Sequence, residues 1–184
     1  FCLGDVSGKG VPASLFMAQA TRLFHTLAKL QMKPSEIATR LNDELSEDNE
    51  QGMFVTMFLG LINLKTGHLS FCNAGHNPPV LNGAFMEMEP NAPVGLWPGL
   101  EYVGEEVSDI SGQQLFIYTD GLNEAENQQQ DQFGDDHLLE VLGGMTVESA
   151  QQTVEQMKAE VEKHRDGAEP NDDLTMLCVK IIKD

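Results

Sequence analysis

The sequence predicts an α+β fold, and three observations carry that prediction. Its periodic segments run in blocks: two helices, a series of strands linked mostly as hairpins, two more helices and a closing strand. Helices gathered away from the strands argue against alternating βαβ units. Several strands are also apolar on both faces, which fits two sheets packed together with helices outside.

The elements follow in order. Phe1 to Leu3 read as the end of a buried strand. Pro12, allowed in a first helical turn, opens a helix with Phe16, Ala20, Leu23, Leu27 and Leu30 on its apolar stripe. Pro34 opens a second helix with Ile37, Leu41 and Leu45 on one face, and the polar run SEDNEQG (46–52) follows as a loop. MFVTMFLGLIN (53–63) is a long strand, Lys65-Thr66-Gly67 a turn and His68 to Asn73 the returning strand of a hairpin. Shorter strands are expected at Pro78–Leu81, Ala84–Met88 and Tyr102–Val107, then a longer one at Gln113–Thr119 that runs into Asp120-Gly121. EAENQQQDQFGDD (124–136) is polar and reads as an exposed excursion. His137–Leu142 forms a short helix and Glu148–His164 a longer one, with Ala150, Val154, Met157 and Val161 as its buried stripe. Leu174–Ile182, apolar on both faces, closes the chain. No internal repeat or linker divides it, so residues 1–184 are expected to form one domain.

Charge narrows the partners. Eleven Lys and Arg stand against 29 Asp and Glu, a net charge of −18. Such a surface repels nucleic acid and anionic lipid, and attracts metal cations or basic protein surfaces. Cys2, Cys72 and Cys178 each lie in an apolar run without zinc-type spacing, as expected of buried reduced thiols in a cytoplasmic protein. No run of about 18 apolar residues and no signal peptide is visible.

The stretch FCLGDVSGKG resembles a phosphate-binding loop at first sight. A P-loop needs four residues between its glycine and the Gly-Lys pair, followed by Ser or Thr. Here three residues separate Gly4 from Gly8-Lys9, and Gly10 takes the hydroxyl position. Attention therefore shifts to Asp5, at a strand end before a glycine-rich turn. Asp120 (IYTDG) and Asp172-Asp173 (NDDLTML) occupy comparable places. Hard divalent ions such as Mg²⁺ and Mn²⁺ take oxygen ligands, which carboxylates on strand ends can supply. By spacing alone, Asp-Gly and Asp-Asp serve equally as ordinary turn signals.

The segments GDVSGKGVPASLFMA, AGHNPPVL, PVGL, LFIYTDGLNEAEN, FGDDHLLEVL and NDDLTMLCVK resemble, in order and spacing, the SpoIIE-type (RsbU-like) protein serine phosphatases. These belong to the metal-dependent PPM (type 2C) phosphatase superfamily. The resemblance implies a four-layer α/β/β/α sandwich of two mostly antiparallel sheets flanked by helices. It further implies a hydrolase that removes phosphate from phosphoserine or phosphothreonine with two Mn²⁺ or Mg²⁺ ions, by in-line attack of a hydroxide bridging them. Asp5 would bridge both ions, the Val6 carbonyl would add a ligand to one, and Asp120 and Asp172 would complete the other. Asp173 would stand beside the site, with Gly4, Gly8, Gly10 and Gly121 shaping its loops. The implied substrate is a phosphorylated anti-anti-sigma (STAS) protein in cytoplasmic signalling. An upstream sensor or regulatory domain is the other implied partner.

The chain also departs from the family. Relatives carry a further acidic residue upstream in a GGDxxD-like stretch, which this sequence does not contain; the resemblance therefore implies a domain truncated at its N-terminus, without its first strand or strands. Where many relatives have His, this chain has Lys9, which either contacts substrate phosphate or is an exposed loop lysine. His76 in AGHNPP reads as a turn residue bonded to backbone, and His25, His68, His137 and His164 are given no chemistry. Arg22 and Arg40 read as parts of solvated helix faces. Leu15, Phe16 and Leu23 are expected to pack on the sheet, with packing on a second copy of the chain, a homodimer, as the alternative. A protein-binding module that keeps the fold without catalysis is the alternative reading.

Overall fold

A computed structural model describes residues 1–146 and 149–182. The chain divides into two compact units, Phe1–His76 with Met88–Asp109, and Asn77–Glu87 with Ile110–Asp184. The α+β expectation holds: each unit carries one four-stranded antiparallel sheet and flanking helices.

In the first unit the sheet contains β1 (Cys2–Val6), β2 (Val55–Ile62), β3 (Leu69–Ala74) and β6 (Glu105–Val107), in that order. Helices α1 (Val11–Leu27) and α2 (Pro34–Ser46) cover one face. Side chains alternate along a strand. Val55, Met57 and Leu59 therefore meet Phe16, Ala20, Ile37, Ala38, Leu41 and Leu45 of the helices, while Phe58 points the other way and stacks on Phe71 at 5.5 Å. Pro34 at the start of α2 and the Glu36 carboxylate, which accepts from the Lys33 amide at 2.9 Å, fix where that helix begins. The α1 stripe is narrower than its periodicity suggests. Phe16 and Ala20 are buried and Leu23 and Leu27 half-buried, but Leu15 is exposed. Leu30, also exposed, falls in a 3₁₀ turn that follows α1 and is stopped by left-handed Gln31.

The second unit orders its strands β5 (Ala84–Phe85), β4 (Val80–Leu81), β7 (Gln114–Tyr118) and β8 (Met176–Lys180). Its helices are α3 (Asp120–Asn123), α4 (Asp135–Gly144) and α5 (Ala150–Arg165). Phe116 and Tyr118 pack against Leu122, Leu138, Met157 and Val161. Ser149 caps α5 reciprocally: its hydroxyl accepts from the Gln152 amide at 3.2 Å, and the Gln152 side chain accepts from the Ser149 amide at 3.2 Å. Glu148, where the periodicity opened this helix, lies outside the described residues. The buried stripe of α5 includes the polar Thr153 and Arg165. β8 is half-buried throughout, because it stands at the edge of its sheet beside β7.

All three cysteines are free thiols, Cys72 buried and the others half-buried. Among the described residues no helix is long and apolar enough to cross a membrane.

Candidate functional site

In the first unit Asp5 lies inside β1, two residues beyond the expected strand end at Leu3. Pairing explains the difference. Cys2 to Val6 are all in register with Leu59 to Val55 of β2, and this ladder overrides the weak strand propensity of Gly4 and Asp5. The register sets Asp5 opposite Thr56, so their side chains share one face. The Thr56 hydroxyl lies 3.4 Å from the Asp5 carbonyl oxygen and 3.0 Å from His76 Nδ1. After Val6, which packs half-buried on the core, the chain is tied to the segment before β2. The Ser7 amide donates to the Phe54 carbonyl, and the Phe54 amide donates to the Ser7 hydroxyl, both at 2.9 Å.

Gly8 and Gly10 have φ of 78° and 81°, a region open to glycine at little cost. Gly10 caps α1 there, and its carbonyl accepts from the Ser14 amide at 3.0 Å. Lys9 is exposed between the two glycines.

His76 follows β3 in a turn held from both sides. Its amide donates to Asn73 Oδ1 at 2.8 Å, and Asn73 Nδ2 donates back to the His76 carbonyl at 2.9 Å. That agrees with a turn residue, except that its partner is the Asn73 side chain and its ring turns to Thr56.

In the second unit Asp120 opens the one-turn helix α3, where an open turn was expected after β7. Thr119 makes the difference, since its carbonyl accepts from the Leu122 amide at 3.0 Å and starts the turn. Thr119 also ties this turn to the segment before β8. Its hydroxyl donates to the Asp173 carbonyl at 3.0 Å and accepts from the Thr175 amide at 3.1 Å. Gly121 then passes so close to the Asp173 carbonyl that no side chain fits. The two turns are thus held together, Asp120 in one and Asp172 and Asp173 in the other. Asp172 is half-buried and accepts from the Asp173 amide at 2.8 Å, while the Asp173 side chain is exposed. Asp120 Oδ1 is buried without a hydrogen-bond partner.

The excursion at 124–136 is better anchored than its composition suggests. Ala125 and Phe133 are buried and joined by a backbone hydrogen bond of 2.9 Å. The Phe133 ring sits 4.5 Å from that of His137 and 5.4 Å from that of His164, and the His164 ring bonds the Asp131 carbonyl at 3.0 Å. These two histidines pack the excursion.

A buried carboxylate oxygen without a donor is costly, and a hard cation satisfies it directly. Asp120 Oδ1 is an oxygen of the type Mg²⁺ and Mn²⁺ take, and Asp172 lies in the adjoining turn. Among the described residues no three His, Cys, Asp or Glu side chains converge as a cluster. Ser7, Thr56 and Thr119 were missed by the sequence reading. A neutral hydroxyl in an apolar strand or before a glycine carries no periodic or charge signal.

A family model described as Stage II sporulation protein E (SpoIIE) matches residues 1–182. The chain belongs to the SpoIIE family. Among curated proteins, this SpoIIE-family chain is 28% identical to Protein IcfG of Synechocystis sp. over 212 residues, covering 96% of the chain and 33% of IcfG. It is 26% identical to the phosphoserine phosphatase RsbU of Bacillus subtilis over 127 residues, covering 66% of the chain and 38% of RsbU. It thus spans about a third of IcfG and under two fifths of RsbU. The SiaA-PP2C domain of Pseudomonas aeruginosa superposes with a TM-score of 0.83 at 18% identity, over 97% of this chain and 74% of that domain. The catalytic domain of the serine/threonine protein phosphatase PstP, solved with two manganese ions, gives 0.72 at 12% identity, over 99% of this chain and 87% of that one. These structural likenesses show that the SpoIIE-family chain has the PP2C fold.

Proposed function

We propose that this SpoIIE-family chain is the phosphatase domain of a cytoplasmic signalling protein. It removes phosphate from phosphoserine or phosphothreonine in a protein substrate, using two Mn²⁺ or Mg²⁺ ions. The proposed metal ligands are Asp5 with the Val6 carbonyl, and Asp120 with Asp172. The observation that carries this reading is the partnerless, buried Asp120 Oδ1 beside the Asp172 turn. RsbU, named a phosphoserine phosphatase, supports the substrate class, and the two manganese ions of PstP support the metal.

Phosphate monoesters are among the slowest substrates to hydrolyse unaided. Divalent ions, when bound, lower the pKa of water and neutralise charge on the phosphoryl oxygens. The chain's residues position that chemistry. Ser7, Gly8 and Gly10 shape the loop after Asp5, and exposed Lys9 offers a cation to the substrate phosphate. Thr119 and Gly121 keep Asp120 against the Asp172–Asp173 turn, and exposed Asp173 faces incoming water or substrate. The protein substrate is a phosphorylated STAS domain, and an attached sensor or regulatory domain controls the enzyme.

The test is Mn²⁺-dependent hydrolysis of p-nitrophenyl phosphate and of a phosphoserine STAS domain by the protein and by Asp120→Asn. Metal-dependent turnover that disappears in the variant supports the proposal. Turnover that survives undiminished in Asp120→Asn refutes the metal assignment, and stable STAS binding without turnover identifies a non-catalytic binding module.

A further inference from the structure

Asp5 sits on β1, an outer strand whose neighbour in the sheet is β2. A carboxylate asked to hold a cation needs its backbone fixed, and an outer strand fixes it from one side. Two polar side chains reinforce that side. Thr56, opposite Asp5 in the ladder, brings its hydroxyl to 3.4 Å from the Asp5 carbonyl and to 3.0 Å from His76 Nδ1. The three residues come from β1, β2 and the turn after β3, and those strands are adjacent in the sheet.

A hydroxyl has one proton to donate. Given to the Asp5 carbonyl, it leaves the Thr56 oxygen to accept from His76, so the ring proton sits on Nδ1. The far end of this chain is firmly held. Asn73 bonds the His76 amide and carbonyl, and Asn91 Nδ2 donates to the Asn73 carbonyl at 3.1 Å. His76 itself is only 6% exposed. A buried imidazole ring fixed to the strand neighbour of a carboxylate is an arrangement that orients ligands.

We propose that Thr56 and His76 are positioning residues for Asp5, His76 acting through the Thr56 hydroxyl to hold the end of β1 in place for cation binding. This rests on the proposed metal-dependent function. Because the Thr56 hydroxyl links the His76 ring to β1, removing both groups is expected to cost no more than removing Thr56 alone.

The experiment measures Mn²⁺ affinity by calorimetry for the wild type, Thr56→Val, Thr56→Ser, His76→Phe and the Thr56→Val/His76→Phe pair, with thermal melts in chelator to confirm folding. The singles Thr56→Val and His76→Phe are expected to weaken Mn²⁺ binding about tenfold. Thr56→Ser retains wild-type affinity, and the pair matches Thr56→Val within about twofold. Wild-type affinity in both singles, or a pair whose losses multiply, overturns the inference. ¹⁵N NMR of the wild type gives a second reading that needs no variant: a neutral ring protonated at Nδ1 supports the relay, and one protonated at Nε2 overturns it. A wild type that neither binds Mn²⁺ nor hydrolyses phosphate overturns the proposed function itself; Mn²⁺ binding that all variants share overturns this inference alone.

Discussion

A side chain at Gly121 would collide with the carbonyl of Asp173. The collision is with backbone, which cannot rotate away as a flexible side chain could, and the Thr119 hydroxyl holds that same carbonyl by a hydrogen bond. Gly121→Ala must therefore push the Asp172–Asp173 turn away from Asp120. Overpacking of this kind costs about 1–3 kcal/mol. We expect a lower urea midpoint for Gly121→Ala and a larger proportional loss of Mn²⁺-dependent turnover than of stability. Wild-type turnover in this variant would show that the spacing of the two turns does not matter to the site.

Asp120 gives a prediction that does not depend on turnover. A ligand bound only by the folded state stabilises it by RT ln(1 + [L]/Kd), about 2.7 kcal/mol at a hundredfold excess over Kd. Mn²⁺ should raise the melting temperature of the wild type and leave that of Asp120→Asn nearly unchanged. Without metal the order reverses, because Asn buries no charge where Asp120 Oδ1 now lacks a donor. Calorimetric melts with Mn²⁺ and with chelator check both halves. Equal shifts in the two proteins would remove Asp120 from the metal site.

How far the sequence could be read depended on the kind of signal. Asp5, Asp120 and Asp172 stood out because each is a charge at the border of an apolar run. Ile37, Leu41 and Leu45 followed from helical spacing, and all are buried. Periodicity marks the side of α1 that faces the sheet, but not how wide that contact is. Leu15 and Leu30 therefore fell on the wrong side of the boundary. The strand end was misplaced at Leu3 because Gly4 argues locally against a strand, whereas the β2 ladder, built by residues about fifty positions away, extends it. Thr56 and Thr119 depend on the same long-range pairing, so no local pattern could mark them. Ala125 and Phe133 were hidden by the polar residues around them, although two buried apolar groups suffice to anchor a loop.

Asn42 supplies a stability prediction in the first unit. It is fully buried on α2, donating to the Trp97 carbonyl at 2.9 Å and accepting from the Gly95 amide at 2.9 Å and the Tyr102 hydroxyl at 3.3 Å. Tyr102 has a second acceptor in the Pro93 carbonyl at 3.0 Å, so removing Asn42 orphans chiefly the Gly95 amide and the Trp97 carbonyl. Each unsatisfied buried group costs about 1–3 kcal/mol. Asn42→Leu, similar in volume, should lose roughly 2–4 kcal/mol in urea denaturation. A change below about 1 kcal/mol would mean that the PVGL segment does not depend on this side chain.

Alkaline pH tests the burial of three neutral acids. Burial, with Glu105 adding to it, pushes the Cys72 thiol up from 9.0 to about 12. Tyr102 is raised above 10 by burial, then by Cys72 and Asp43; Tyr118 is raised by burial, then by Asp135. Above pH 9 the unfolded chain releases protons that the folded chain retains. The unfolded state then binds fewer protons, so unfolding free energy falls as pH rises. The stability these groups confer is complete below pH 9 and is lost progressively between pH 9 and 12. Urea midpoints should be steady from pH 7.5 to 8.5 and decline steeply from 9 to 11. Cys72→Ala, measured against its own value at pH 8, should decline less, because the remaining loss comes from the tyrosines and from Cys2 and Cys178, whose thiols burial also pushes up. Iodoacetamide at pH 8 should correspondingly leave Cys72 unmodified in the folded protein and modify it in urea. A midpoint that stays flat to pH 11, or rapid native alkylation of Cys72, would show that this thiol is not held neutral in the core.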